Sequence, residues 1–231
     1  DAIDSLLELS RTYSPDHINW RYDPIVVSSI TPPDFHEKRF AELCGRLRGH
    51  VKRCYFSYAI LHGKVERNFH RFEREHNVKM LNPPQPERIA LARRLAEIAT
   101  AHEIEMFTCC GDYLIDGRIK KAHCVDGDVI SRIYYGGKWH GADRPTRKEC
   151  GCVESTDIGK YDTCPHGCIY CYANINKEQA IRSCKAHDAA SAFIGYTKAE
   201  SDRVVEEIKQ RIPKEREKRI APQDKQLGFE F

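Results

Sequence analysis

The stretch VKRCYFSYAI (residues 51–60) decides how this chain is read. After Arg53 it is a near-continuous apolar run, rich in aromatic residues. Such a run, short and without polar alternation, predicts a strand covered on both faces, as in a parallel sheet. Working outward, HINWRYDPIVV (17–27) reads as a strand before it, with Pro24 limiting regular pairing. Residues 104–109 read as a third strand after it. Between these runs the spacing predicts helices over 32–47, with Gly49 as its stop, over 64–76, and over 87–102, the last two separated by a proline-rich joint at 82–86. A short amphipathic helix over 2–11 precedes the first strand and ends before Pro15. Helices alternating with strands imply an α/β fold. Three strands cannot close a barrel, so the expectation is a partial (β/α) TIM-type barrel with its first strands outside this chain. Barrel chemistry sits at the C-terminal ends of the strands. Here those ends carry Arg21 and Asp23, Ser57 and Tyr58, and Thr108, Cys109 and Cys110.

From about residue 111 glycines and cysteines become frequent and the barrel pattern stops. A helix is expected over 126–135, a loop over 136–150, and helices over 177–187 and 198–212. The expected division is a partial barrel (1–135), a cysteine-rich loop-and-helix region (136–190), and a C-terminal helix with a frayed, charged tail (191–231). The chain has 231 residues, 41% hydrophobic and 31% charged, with a net charge of +3. This is the composition of a soluble globular protein. The charge is too small to argue for a nucleic-acid partner, and the run KEREKR (214–219) reads as a solvated face. No apolar run is long enough for a membrane helix, and the acidic start is not a signal peptide. The opening Asp in place of Met predicts a piece of a longer protein.

The 11 cysteines, nine of them after position 108, carry the chemistry. An odd number, unevenly spread, argues against a secreted disulfide scaffold and for metal binding in a reducing cytoplasm. ECGCVESTDIGKYDTCPHGCIYCYAN (149–174) holds five of them. Cys164, Cys168 and Cys171 form C-x3-C-x2-C. Three thiolates on so short a loop can each hold one iron of a [4Fe–4S] cube, leaving the fourth iron open to a small molecule. Tyr170, beside the last cysteine, is placed to flank a bound cofactor. Zinc is the rival metal here, with His166, Cys150 or Cys152 as its fourth ligand. A second set comprises Cys109 or Cys110, Cys124, Cys150 and Cys152. It predicts a closed four-thiolate site, holding a second [4Fe–4S] cluster or zinc, against the alternative of separate buried cysteines. Cys44, Cys54 and Cys184 read as ordinary core or surface residues. Arg21 and Asp23 are candidates for a carboxylate or ribose, or simply an ion pair closing a strand end. Arg67 reads as a helix-surface residue, His166 as a turn residue, and His187–Asp188 as a weak acid–base pair.

CPHGCIYC (164–171) resembles the cysteine motif of the radical S-adenosylmethionine enzymes. Together with WRYDPI (20–25), YFSY (55–58), ERN (66–68), TCC (108–110) and HCVDGDVI (123–130), it resembles the domain-of-unknown-function family numbered eighteen forty-eight. The resemblance covers roughly residues 1–190. It implies a [4Fe–4S] cluster on Cys164, Cys168 and Cys171 whose open iron chelates S-adenosylmethionine, and one-electron cleavage to a 5′-deoxyadenosyl radical acting on a substrate the family does not name. It also implies an electron donor such as flavodoxin or ferredoxin, and a layout shared broadly with the spore photoproduct lyase branch. The cluster loop here follows the last strand, whereas in ordinary members of that superfamily it follows the first. No glycine-rich strand motif for the methionine group is evident. Non-catalytic electron transfer and a zinc-binding module are the alternatives.

Overall fold

The computed structural model describes residues 2–191, 193 and 196–220, with side chains described through residue 211. The outer part of the expected frayed tail, residues 221–231, lies outside them. The chain divides into two units, residues Asp1–Thr156 and Asp157–Phe231.

In the first unit, four parallel strands lie side by side in chain order: β1 (Asn19–Ile25), β2 (Arg53–Tyr58), β3 (Glu105–Thr108) and β4 (Ile119–Lys121). Helix α1 (Ala2–Thr12) precedes β1. Helix α2 (Pro33–Leu47) links β1 to β2, helices α3 (Gly63–His76) and α4 (Gln85–Ala101) link β2 to β3, and α5 (Gly127–Tyr134) follows β4. The expected strands and helices of the first 110 residues are all present. The sheet is parallel as expected and open, with β1 and β4 at its edges. Sequence reading passed over β4 because a three-residue Ile-Lys-Lys strand offers no apolar alternation. Its lysines are instead held by acids, Lys121 by Asp112 at 2.8 Å and Lys120 by Glu105. The ladder between β1 and β2 slips between Tyr22 and Ile25, where Pro24 has no N–H to give.

Successive residues of a strand point to opposite faces, and this parity sorts the unit. One face sends Trp20, Cys54, Phe56, Met106 and Ile119 into the main core with Phe40, Leu47, Leu91 and Leu95. Phe40 and Leu47 lie on one face of α2, and Leu91 and Leu95 one turn apart on α4. Trp20 stacks on Phe40 at 5.2 Å, and Arg94 of α4 pairs with Glu37 of α2 at 2.6 Å. Gly49, at φ +77°, turns the chain after α2 as expected. The other face carries Arg21, Asp23, Tyr55, Ser57 and Phe107, and then Cys109. Its small apolar cluster is Tyr55, Phe107, Cys109 and Ala122.

The second unit contains α6 (Lys177–Ala186) and α7 (Lys198–Ile220). No helix among the described residues is long and apolar enough to cross a membrane.

Candidate metal centres

In the first unit, the second sheet face ends in a polar relay. Ser57 donates to Asp23, and Asp23 accepts from Arg21 at 2.7 Å. The expected ion pair is therefore present. The other arm of the Arg21 fork reaches Cys124 Sγ at 3.3 Å, and Cys124 lies 3.4 Å from Cys109 Sγ. Of the two adjacent thiols after β3, the structure selects Cys109. Its N–H is held by the Phe56 carbonyl, in continuation of the β2–β3 ladder. Cys110 takes a left-handed φ of +53°, turning the chain away.

The segment carrying Cys150 and Cys152 is bound to the same place by backbone. Val153 donates to the Val125 carbonyl at 3.2 Å, and Val125 donates to Cys152 Sγ at 3.4 Å. Asp112 donates its N–H to the Glu149 carboxylate at 3.0 Å. Two glycines permit the approach. A Cβ on Gly127 would stand 2.7 Å from Val153, and one on Gly151 would stand 2.9 Å from the His123 ring. The four thiols thus form a chain of neighbours, Cys109 to Cys124 to Cys152 to Cys150. Cys124 is exposed, and hydrogen bonding from Cys109, and then from Arg21, draws its thiol down to about 5 against partial desolvation. Cys109 is pushed up by donating to Cys124 and by burial. Cys150 is drawn to about 7, first by the Cys152 backbone N–H. Burial pushes Cys152 up. A protonated Cys109 against an anionic Cys124 is the pairing these directions describe.

The second unit holds the C-x3-C-x2-C loop. Asp162 clasps its two ends: its carboxylate accepts from the N–H groups of Ile175 at 2.5 Å and Asn176 at 2.9 Å. Asn174 reaches back across the loop, its side-chain amide donating to the Cys164 carbonyl at 2.5 Å. The Asn174 N–H donates to Cys171 Sγ at 3.3 Å. Gly167, at φ +69°, makes the turn, with Lys177 lying where a Cβ would go. Cys164 and Cys168 are exposed and Cys171 is half-buried. Tyr170 and Tyr172 flank Cys171. Tyr170 belongs to this unit, and Arg21 and Asp23 to the other. Asp162 and Asn174 escaped the sequence reading. The signal was present, since Asx residues at both ends of a short loop commonly bond backbone there.

Among the described residues no two cysteines form a disulfide, and no three His, Cys, Asp or Glu side chains are already gathered at coordinating distance. The donor chemistry of both sets nonetheless fits thiophilic metals: thiols only, N–H groups on sulfur, and a cation beside Cys124.

A mostly apolar groove of about 280 Å³ lies beyond the C-terminal ends of β1 and β2, lined by Val27, Tyr58, Leu81, Pro83 and Leu91, with Arg88 over the Tyr58 ring at 5.3 Å. Its walls come from segments distant in sequence, so no local pattern announced it.

A family model described as a domain of unknown function (DUF1848) matches residues 1–173. No curated protein and no solved structure matches the chain.

Proposed function

Because the chain belongs to the DUF1848 family, whose matched span includes the whole C-x3-C-x2-C loop, we propose that it is a radical-SAM-like iron–sulfur protein. The observation that carries this reading is the clasped loop. Three thiols stand on a turn closed by Asp162 and Asn174, and one sulfur already accepts a backbone N–H. A loop held before metal arrives spends less entropy on binding it. Cys164, Cys168 and Cys171 would hold a [4Fe–4S] cluster, and Tyr170 would cover it. When bound with S-adenosylmethionine on its open iron, such a cluster supplies the electron that releases a 5′-deoxyadenosyl radical. The protein's own part is to fix the three sulfurs and to donate N–H groups that temper their charge.

The sheet fits this reading as an arc of a (β/α) barrel. Its strands follow one another in chain order, as barrel staves do, whereas a doubly wound sheet reverses order at a switch point. A flavodoxin- or ferredoxin-like donor and a reducing compartment complete the proposal.

Anaerobic reconstitution with iron and sulfide tests it. Expected are about four irons that Cys168→Ala removes, an electron paramagnetic resonance signal of the reduced protein that S-adenosylmethionine changes, and 5′-deoxyadenosine on reduction. Zinc without sulfide on the loop overturns the reading. Iron and sulfide with no response to S-adenosylmethionine would make the loop an electron-transfer centre instead.

A further inference from the structure

We propose that Cys109, Cys124, Cys150 and Cys152 form a closed, tetrahedral four-thiolate site for a single zinc ion, with Arg21 as the residue that positions and neutralises Cys124. Nothing in this depends on the loop of the second unit.

Three observations carry it. The first is spacing. A tetrahedral zinc with Zn–S bonds of about 2.3 Å sets its sulfurs about 3.8 Å apart. Cys109 and Cys124, at 3.4 Å, are already close to one edge of that tetrahedron. In a [4Fe–4S] cube each thiolate binds a different iron, so the cube itself holds the sulfurs well apart. The close contact therefore favours one shared ion over a cluster. Cys150 and Cys152 stand two residues apart on the segment that the Val153–Val125 backbone bond holds beside Cys124, and rotation of their side chains would complete the closure.

The second observation is the surroundings. Four thiolates on one zinc ion leave two negative charges, which outer donors must offset. Arg21 on Cys124 and the Val125 N–H on Cys152 are such donors. Arg21 is itself held by Asp23, which is held by Ser57, so its direction is set by the sheet. The third observation is an unsatisfied polar group. The Tyr55 hydroxyl is buried with no partner that meets hydrogen-bond geometry, on the same sheet face. Its electrostatic neighbours are Arg53, Asp126 and then Cys124. A thiolate-rich metal centre offers it an acceptor.

The test uses the full chain carrying Cys164→Ala, Cys168→Ala and Cys171→Ala, reduced and anaerobic, titrated with Co²⁺ alone and then Zn²⁺. Expected is one equivalent of cobalt with the intense charge-transfer and d–d absorption of a tetrahedral tetrathiolate, displaced stoichiometrically by zinc. Cys109→Ser and Cys150→Ser should each change that spectrum. Should either variant misfold, Arg21→Gln retains all four thiols and is expected to weaken zinc affinity about 10- to 100-fold with the spectrum still tetrahedral. A pale octahedral cobalt spectrum overturns the proposal, as does a spectrum indifferent to Cys150→Ser. Uptake of iron with sulfide in preference to zinc overturns the single-ion assignment, and unchanged affinity in Arg21→Gln overturns the role given to Arg21. Loss of radical chemistry in the wild-type chain would leave all these outcomes unaffected.

Discussion

The two cysteine sets are built by opposite means. Cys109, Cys124, Cys150 and Cys152 come from three separate segments, brought together by a strand end, a loop after β4 and a backbone bridge. Cys164, Cys168 and Cys171 come from one short turn that closes on itself through Asp162 and Asn174. The first set is a product of tertiary structure and should give stability back to it when metal binds. The second is local, its residues and its clasp all lying within one short stretch of the second unit. This difference underlies the two proposals: a closed structural centre where the fold would supply the ligands, and an exposed reactive one where a loop would.

Thiol labelling separates the sets from the core and should show the largest effect. Cys44 and Cys54 are 0% exposed, and burial pushes Cys44 up to about 12 and Cys54 well above its ordinary value. Labelling them requires opening the main core. At a typical stability of at least about 5 kcal/mol this makes them roughly a thousandfold slower than Cys164 or Cys168 in reduced, metal-free protein. Mass spectrometry of the time course measures it. Comparable rates would mean that the sheet unit is not closed around its own core.

Next in size is the stability carried by the tertiary set. With zinc bound, Cys124→Ser should cost about 3 kcal/mol or more, since structural zinc binding is folding free energy. In a unit of this size that is a drop of roughly 10 °C in midpoint by calorimetry. Cys168→Ala should leave the same transition in place. Equal losses from the two substitutions would erase the contrast between the sets.

The local set should respond to its clasp. Asp162→Ala leaves two loop N–H groups without their acceptor, at a cost of about 1–3 kcal/mol in loop order. Iron retained after reconstitution should fall several-fold, while zinc bound by the first unit is unchanged. Asp162→Asn, which keeps an acceptor oxygen, should restore part of the loss.

The legibility of these features follows the same line. The strands Arg53–Tyr58 and Glu105–Thr108 could be read because each buries residues continuous in sequence, and Asn19–Ile25, which buries only Trp20 and Ile25, because it is rich in aromatic and β-branched residues. So could the grouping of Cys109, Cys124, Cys150 and Cys152 as neighbours, because C-x-C and strand-end thiols are recognisable types. The choice between Cys109 and Cys110 could not, since adjacent residues alternate faces and only the turn at Cys110 decides. The contact of Arg21 with Cys124 was equally hidden, because it spans 103 residues and depends on β4, a strand with almost no sequence signature. The parallel sheet was legible for the same reason, while the barrel that it was expected to be part of was not, since strand content is local and closure is not.

The smallest expected effect guards the comparison against misreading in acid. Protonation of thiolates should empty a thiolate metal site as pH falls, but the sheet unit has its own acid sensitivity at His36. This ring is 6% exposed, with Tyr22 Oη 2.9 Å from its Nδ1 and the Val26 carbonyl 3.0 Å from its Nε2. The carbonyl can only accept, so Nε2 carries the proton and Nδ1 takes one from Tyr22. Burial lowers the His36 pKa in the folded protein, although the Val26 bond opposes this. The folded state therefore binds fewer protons than the unfolded one. His36 contributes full stability above its unfolded value of about 6.5, and that contribution is lost as pH falls below it toward the folded pKa. Cys124, lowered from 9.0 to about 5, acts in the same direction over a wider window: its contribution is complete above about 9 and is lost progressively as pH falls to about 5. His36→Gln should cost about 1 kcal/mol at neutral pH and remove the extra steepness in the urea midpoint that sets in below about 6.5, leaving the decline that begins near 9. Cys124→Ser should instead remove the decline between about 9 and 6.5 and keep the part below about 6.5 that His36 carries; a single slope removed by either substitution would mean that one titration, not two, governs the unit.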